Sequence, residues 1–338
     1  PLSHFQVSPH KGDVKPPRKL LCFTDHRQRA AAFPSLLEEE TFSHDMGRKI
    51  VKIINPETKP VDLVNLGERL ADFADPQSDR HDPDFFLPVS RFPDEELDAK
   101  GKRNLWIAET FSYFAIPDSA RESAEDLGLI AVEDSLKESE KETFHSLLNA
   151  PQLTLQESTT ALQVLLGFIR QRKAFTLPKG RVEYNAPAFG RVTTDIAYVL
   201  RRSGDMYTVG WLPRLNKDGS YHDNFITNYL RRLLGLPSDE ILSLAEKIWG
   251  FLTSKYLLIE NRGKWKLDHE RLFVIKAVSR YVCSHCGIVT AYSARQRCPR
   301  KECEGNLKAS PFNSSKENII ARWVADKAEP KFTTLKSE

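Results

Sequence analysis

Four of the five cysteines lie within 21 residues, as Cys283-Ser-His-Cys286 and Cys298-Pro-Arg-Lys-Glu-Cys303. That spacing constrains the chain more than any other feature. Two thiolates two residues apart on a tight turn can face one ion, and a second pair about a dozen residues on completes a tetrahedron, as in a structural zinc ribbon. Gly287, directly after the first pair, supplies the backbone freedom such a turn needs. The expected cofactor is therefore a structural Zn²⁺ held by Cys283, Cys286, Cys298 and Cys303. A closed set of four thiolates leaves no position for water, so the ion would contribute folding energy rather than chemistry. The competing readings are a pair of disulfides or four free thiols; within the metal reading, His285 inside the first pair is an alternative ligand in place of one cysteine. The second pair encloses four residues, so its turn is looser than the first. Cys22 stands apart and reads as a small buried strand residue.

The formal net charge of +3, from 49 Lys+Arg against 46 Asp+Glu, is too small to indicate a polyanionic partner. Its distribution says more. Residues 57–99 hold 12 acids and 4 bases, whereas residues 262–303 hold 10 bases and 3 acids. Zinc with four thiolates carries −2, so the second segment would keep a net charge of about +5 beside the metal. Its centre is Arg295, Arg297, Arg300 and Lys301, for which a phosphate backbone is the expected partner, with Tyr281 and Tyr292 nearby for stacking. The alternative is a solvated charged face.

The 338 residues suffice for two or three domains, and an apolar fraction of 40% excludes a disordered chain. No apolar run approaches the roughly 18 residues of a spanning helix, and the N-terminus lacks the apolar core of a secretory signal. A cytoplasmic, reducing compartment without a membrane partner is expected, which argues against disulfides. A start at Pro1 without Met fits a fragment of a longer protein, and equally a chain that has lost an initiator Met.

The expected fold class is α+β, mostly helical. Within 1–54, a Pro-containing linker leads to a strand at Lys19–Phe23 and a helix from Arg27 to Glu40. The acidic segment 55–138 carries helices at about 60–74 and 95–113, a further helix starting at Asp118-Ser119 and ending near Gly128, and a strand at 129–132. Segment 139–222 has a helix ending at Leu148, a second at about 155–171, and a possible hairpin at 174–184. Ile196–Leu200 and Tyr207–Trp211 read as two strands or as a helix plus a strand. Segment 223–275 repeats the pattern: helix 223–234, the turn Gly235-Leu236-Pro237-Ser238, helix 239–254 capped by Ser238, and a hairpin about Asn261-Arg262-Gly263. Helix–turn–helix–wing fits both segments, and two helical hairpins each followed by a β-turn fit them too. The ribbon is expected over 276–310, followed by 311–338. The tryptophans 106, 211, 249 and 265 read as core or wing packing, and His222 and His269 belong to no catalytic or metal set.

The phrase Lys19-Leu-Leu-Cys-Phe-Thr-Asp-His-Arg-Gln-Arg-Ala-Ala-Ala-Phe33 resembles motif IV of superfamily 2 DEAD/DEAH-type helicases with a zinc-binding region and a large insertion, a group that includes helicases of antiphage systems such as DISARM. Phe23, Asp25, Arg27, Gln28, Ala30 and Ala31 match, while His26 and Arg29 depart. The Gly210-Trp-Leu-Pro213 phrase, the Tyr229-Leu-Arg-Arg-Leu-Leu234 phrase and the cysteine region are similar to the insertion that follows. The resemblance implies that 1–54 opens a partial RecA-like second lobe and that 311–338 returns toward it. It further implies antiviral defence, DNA and the remainder of a helicase polypeptide as partners, and ATP with Mg²⁺ as cofactors of the full-length protein only. Arg27 and Gln28 would then lie near nucleic acid or the facing lobe. The alternative is that Arg27 pairs with an acid at an ordinary helix start.

The chain contains no G-x-x-x-x-G-K-[ST], and Asp94-Glu95-Glu96 and Asp239-Glu240 read as helix starts rather than as a magnesium-binding acid at a strand end. No catalytic residue is assigned and no ATPase is expected of this chain alone. The function expected is that of a helicase fragment whose winged-helix and zinc-ribbon insertion binds DNA. The alternative is a non-enzymatic zinc-ribbon and winged-helix adaptor for nucleic acid or protein.

Overall fold

The computed structural model describes residues 42–82, 98–115, 123–182, 198–202, 209–217 and 220–325. Phe23, Asp25, Arg27 and Gln28, the elements expected around them, Asp94-Glu95-Glu96 and Asp118-Ser119 lie outside these residues. The described part is α+β, with eight helices and three small sheets.

Residues 42–54 are helical (α1). After the two-residue strand β1 (Val61–Asp62) comes α2 (Leu63–Ala74), whose first turn is capped by the Asp62 carboxylate accepting from the Asn65 N–H at 2.8 Å. The buried face of α2, Leu63, Leu66, Gly67 and Leu70, packs on α3 (Ala99–Tyr113). Asp98 caps α3 through the Gly101 N–H at 2.6 Å. Strand β2 (Ile130–Asp134) leads to α4 (Glu138–Leu148) and α5 (Leu155–Gln171). Thr154 and Glu157 form a reciprocal capping box at the start of α5, with bonds of 3.1 and 3.0 Å.

Strands β3 (Val199–Arg202) and β4 (Val209–Leu212) pair in parallel, so the described ends of both segments left open by the sequence are strands. Next come α6 (Phe225–Leu234), a turn at Gly235 with φ of 71°, α7 (Ser238–Ser254), β5 (Leu258–Asn261) and β6 (Lys264–Leu267). Arg262 and Gly263 both have positive φ, the backbone of a tight hairpin turn. Ser238 is the first residue of α7 rather than its cap. Pro237 holds the cap position and has no side-chain acceptor to offer.

The hairpin extends into a sheet of order β4-β3-β6-β5. The last residue of β6 is met, on the edge away from β5, by residues 174–176: the Thr176 N–H donates to the Leu267 carbonyl at 2.8 Å, and the Leu267 N–H donates to the Ala174 carbonyl. Among the described residues, 174–176 therefore pair with the end of β6 and 178–182 form a turn, in place of the two paired strands of the expected first hairpin. The cause is burial, because Phe175 and Leu267 close on each other in the interior.

Strand β7 (Leu272–Lys276), which carries no turn or alternation signal in the sequence, is central in a second sheet of order β1-β7-β2. Val132 of β2 stands opposite Val274. One apolar cluster runs from Phe42 to Val324. Trp106 and Trp211 are buried in it, and the rings of Trp211, Trp249 and Trp265 follow one another at 6.3 and 5.8 Å. The Trp211 indole N–H donates to the Ala245 carbonyl at 2.7 Å, so this side chain is fully committed to the core. Among the described residues no helix is long and apolar enough to cross a membrane.

Candidate metal centre

The third sheet carries the cysteines. It consists of β8 (Tyr281–Cys283), β9 (Val289–Thr290) and β10 (Leu307–Ala309), all antiparallel with β8 central. Cys283 ends β8 opposite Leu307, and its N–H donates to the Ile288 carbonyl at 2.9 Å. The first knuckle closes where the Gly287 N–H reaches the Cys283 carbonyl, with Gly287 at φ 72°. In the second knuckle, the Cys303 N–H donates to the Arg300 carbonyl and Glu302 adopts positive φ, which accommodates the two extra residues between these thiols.

The four Sγ atoms lie within 4.8 Å of one another, with Cys283 and Cys303 3.6 Å apart and Cys286 and Cys298 also 3.6 Å apart. A tetrahedral site with Zn–S bonds of about 2.3 Å has sulfur–sulfur edges of roughly 3.8 Å, whereas a disulfide bond measures about 2.05 Å. No pair stands at disulfide distance, and the disulfide alternative falls. His285 contributes its backbone, donating its N–H to the Cys283 Sγ at 3.4 Å, and its ring is not part of the cluster. Gly305 leaves space for the sulfur: a Cβ there would meet the Cys283 Sγ at 2.6 Å. The arrangement fits a closed four-thiolate ion such as Zn²⁺, with no further position for a reacting molecule.

Four thiols this close cannot all ionise without a cation between them. Burial opposes the thiolate at Cys283, but the N–H groups of Cys286 and His285 and the neighbouring thiols outweigh it and draw Cys283 down to about 6. Burial raises Cys298 and Cys303, and the adjacent Cys283 and Cys286 sulfurs raise them further. A divalent ion would relieve that conflict, because it offsets half of the charge of four thiolates.

Helix α6 grips the second knuckle. The Arg232 guanidinium donates to the carbonyls of Cys298 at 3.0 Å, Arg300 at 3.1 Å and Cys303. From the other side, Arg295 donates to the Leu233 carbonyl at 3.1 Å. The buried Tyr229 hydroxyl has no hydrogen-bond partner among the described residues, and burial pushes its pKa up, an effect that Arg232 opposes and Cys298 reinforces. In the sequence Arg232 looks like an ordinary base complementing a helix C-terminus, so no local signal marks it as part of this centre.

Arg295, Arg297, Arg300 and Lys301 are exposed on the segment that carries the second knuckle. Arg295 is engaged with α6, Arg297 reaches Asn306 at 3.5 Å, and Lys301 pairs with Glu302 at 3.2 Å. Tyr292 is not free to stack on a base, because its hydroxyl donates to the Val132 carbonyl at 2.7 Å and anchors the ribbon to β2. Tyr281 lines an open groove of about 850 Å³ with Phe273, Ile275 and Val278. His269 is occupied by Thr176 at 2.8 Å. No family model matches the chain, and no curated protein or solved structure is similar to it.

Proposed function

We propose that this chain is the nucleic-acid-holding part of an ATP-dependent helicase, in which a winged helix (α6, α7, β5, β6) and a Zn²⁺ ribbon contact DNA while ATP and Mg²⁺ are handled elsewhere in the polypeptide. The observation that carries the reading is the placement of a cationic segment on the rim of a four-thiol knuckle that is itself bolted to the helix–turn–helix. The motif IV phrase supplies the motor part of the proposal, and a reducing, cytoplasmic setting suits the free thiols.

Charge favours the ribbon and the hairpin as the phosphate-facing parts. The exposed start of α7 carries Asp239 and Glu240, and Glu246 is taken by Arg201 and Arg202, so α7 is a poor surface for a polyanion. The hairpin tip offers exposed Arg262 and Lys264, the latter with its ammonium 4.2 Å from the Tyr198 ring. The second reading, an adaptor without a motor, shares this binding surface and is supported by the closed metal set, which has no open position for chemistry.

The test is the salt dependence of DNA binding after changing Arg295, Arg297, Arg300 and Lys301 together to Ala. Affinity should fall and the log–log salt slope should flatten by about 2–4, at roughly 0.9 per phosphate contact. An unchanged slope in a variant that retains its metal would remove this segment from the interface.

A further inference from the structure

Among the described residues, Arg232 is the one side chain that ties the metal knuckle to the helical body through several carbonyls at once. Its guanidinium reaches Cys298, Arg300 and Cys303, so it spans both ligands of the second pair and the residue whose carbonyl closes the turn between them. Its Nε additionally donates to Asn228 within α6, at 3.4 Å. A planar fork with five N–H groups can make such a set, and a lysine ammonium cannot. A zinc ion with four thiolates carries −2, and a fixed positive charge against the ligand-bearing backbone offsets part of it.

We infer that Arg232 is a positioning residue of the metal centre: it presents Cys298 and Cys303 to the ion, and through it metal binding and the placement of α6 are thermodynamically coupled. The inference rests on the reading of the four thiols as a Zn²⁺ site. Coupling is reciprocal, so whatever the clamp contributes to metal affinity, the metal returns as order in α6. Outer contacts of this kind are worth about 10–100-fold in metal affinity.

The experiment is chelator competition for Zn²⁺, with Co²⁺ substitution to read the thiolate-to-metal absorption, on the full chain. Arg232→Ala should bind Zn²⁺ about 10–100-fold more weakly than the unaltered chain, and Arg232→Lys should recover little of the loss. Arg231→Ala, on the same helix but with its side chain paired to Asp223 just before that helix, should bind as tightly as the unaltered chain. Hydrogen exchange of the α6 amides should slow on metal addition in the unaltered chain and respond much less in Arg232→Lys. Equal Zn²⁺ affinity in Arg232→Lys and the unaltered chain, with α6 exchange indifferent to metal, would overturn the coupling. Failure of the unaltered chain to bind Co²⁺ or Zn²⁺ at all would instead overturn the zinc reading beneath it.

Discussion

Asp134 ends β2 with its carboxyl buried, and its Oδ1 has no hydrogen-bond partner among the described residues. Burial pushes its pKa up to about 7, against the pull of Arg170 and Arg271. The folded chain thus keeps a proton that an unfolded aspartate releases above about 4. Stability is withdrawn as pH rises between those values, and the full penalty stands above about 7. Asp134→Asn should match the unaltered chain near pH 4 and exceed it by on the order of 2–4 kcal/mol at pH 8. Urea unfolding across that range measures the difference, and a gap that does not change with pH would exclude a buried neutral carboxyl. Residue-scale legibility divides along the same line. The four thiols are visible because their spacing is local, whereas Asp134 and Arg232 acquire their roles from residues dozens of positions away, Arg170 and Arg271 for the first and Cys298 to Cys303 for the second.

At the scale of elements, close approach decides what a residue type means. Gly67 sits on the face of α2 against α3, where an added Cβ would meet the Ile107 Cα at 2.7 Å. Gly250, on the exposed side of α7, has open space around it. By helix propensity alone, both changes to Ala should stabilise by about 1 kcal/mol. The structure separates them: Gly250→Ala should gain about 0.5–1 kcal/mol, and Gly67→Ala should lose about 1–3 kcal/mol because backbone must move. Thermal unfolding of both variants tests this, and a stabilised Gly67→Ala would contradict the packing of α2 on α3. Helix α5, with its Thr154 and Glu157 box, and the β5–β6 hairpin, with Arg262-Gly263, were legible because capping and turn chemistry are written in neighbouring residues. Strand β7 was not, since its pairing with β2 joins segments about 140 residues apart, and no local periodicity records it. For the same reason residues 174–176 read locally as part of a hairpin of their own, although their backbone partner is the end of β6.

For the whole molecule, the arrangement of apolar clusters sets what the metal can hold. The ribbon has its own small interior, Cys283, Cys298, Cys303 and Leu307, separate from the cluster that spans Phe42 to Val324. Ala294, between the two knuckles, is buried in the larger cluster, and the other ties between the two are polar: Tyr292 to the Val132 carbonyl, Arg280 to the Leu127 carbonyl, and the Arg232 and Arg295 contacts with α6. A thiolate cluster of four residues with one leucine buries too little apolar surface to stand without an ion. The main cluster does not share that dependence, because none of its members is a metal ligand. Chelation should therefore release about one zinc per chain and unfold in two stages. Amide protection should vanish over 281–309 and weaken in α6, while the helices α2, α3, α5 and α7 keep theirs. Hydrogen exchange resolved by segment distinguishes this from the alternatives. Collapse of protection throughout the chain would mean that the main core leans on the metal, and retention over 281–309 would mean that the ribbon needs no ion. Only the two-stage outcome leaves the cationic segment 295–301 as a surface whose shape is set by metal occupancy while the helical body that carries it persists.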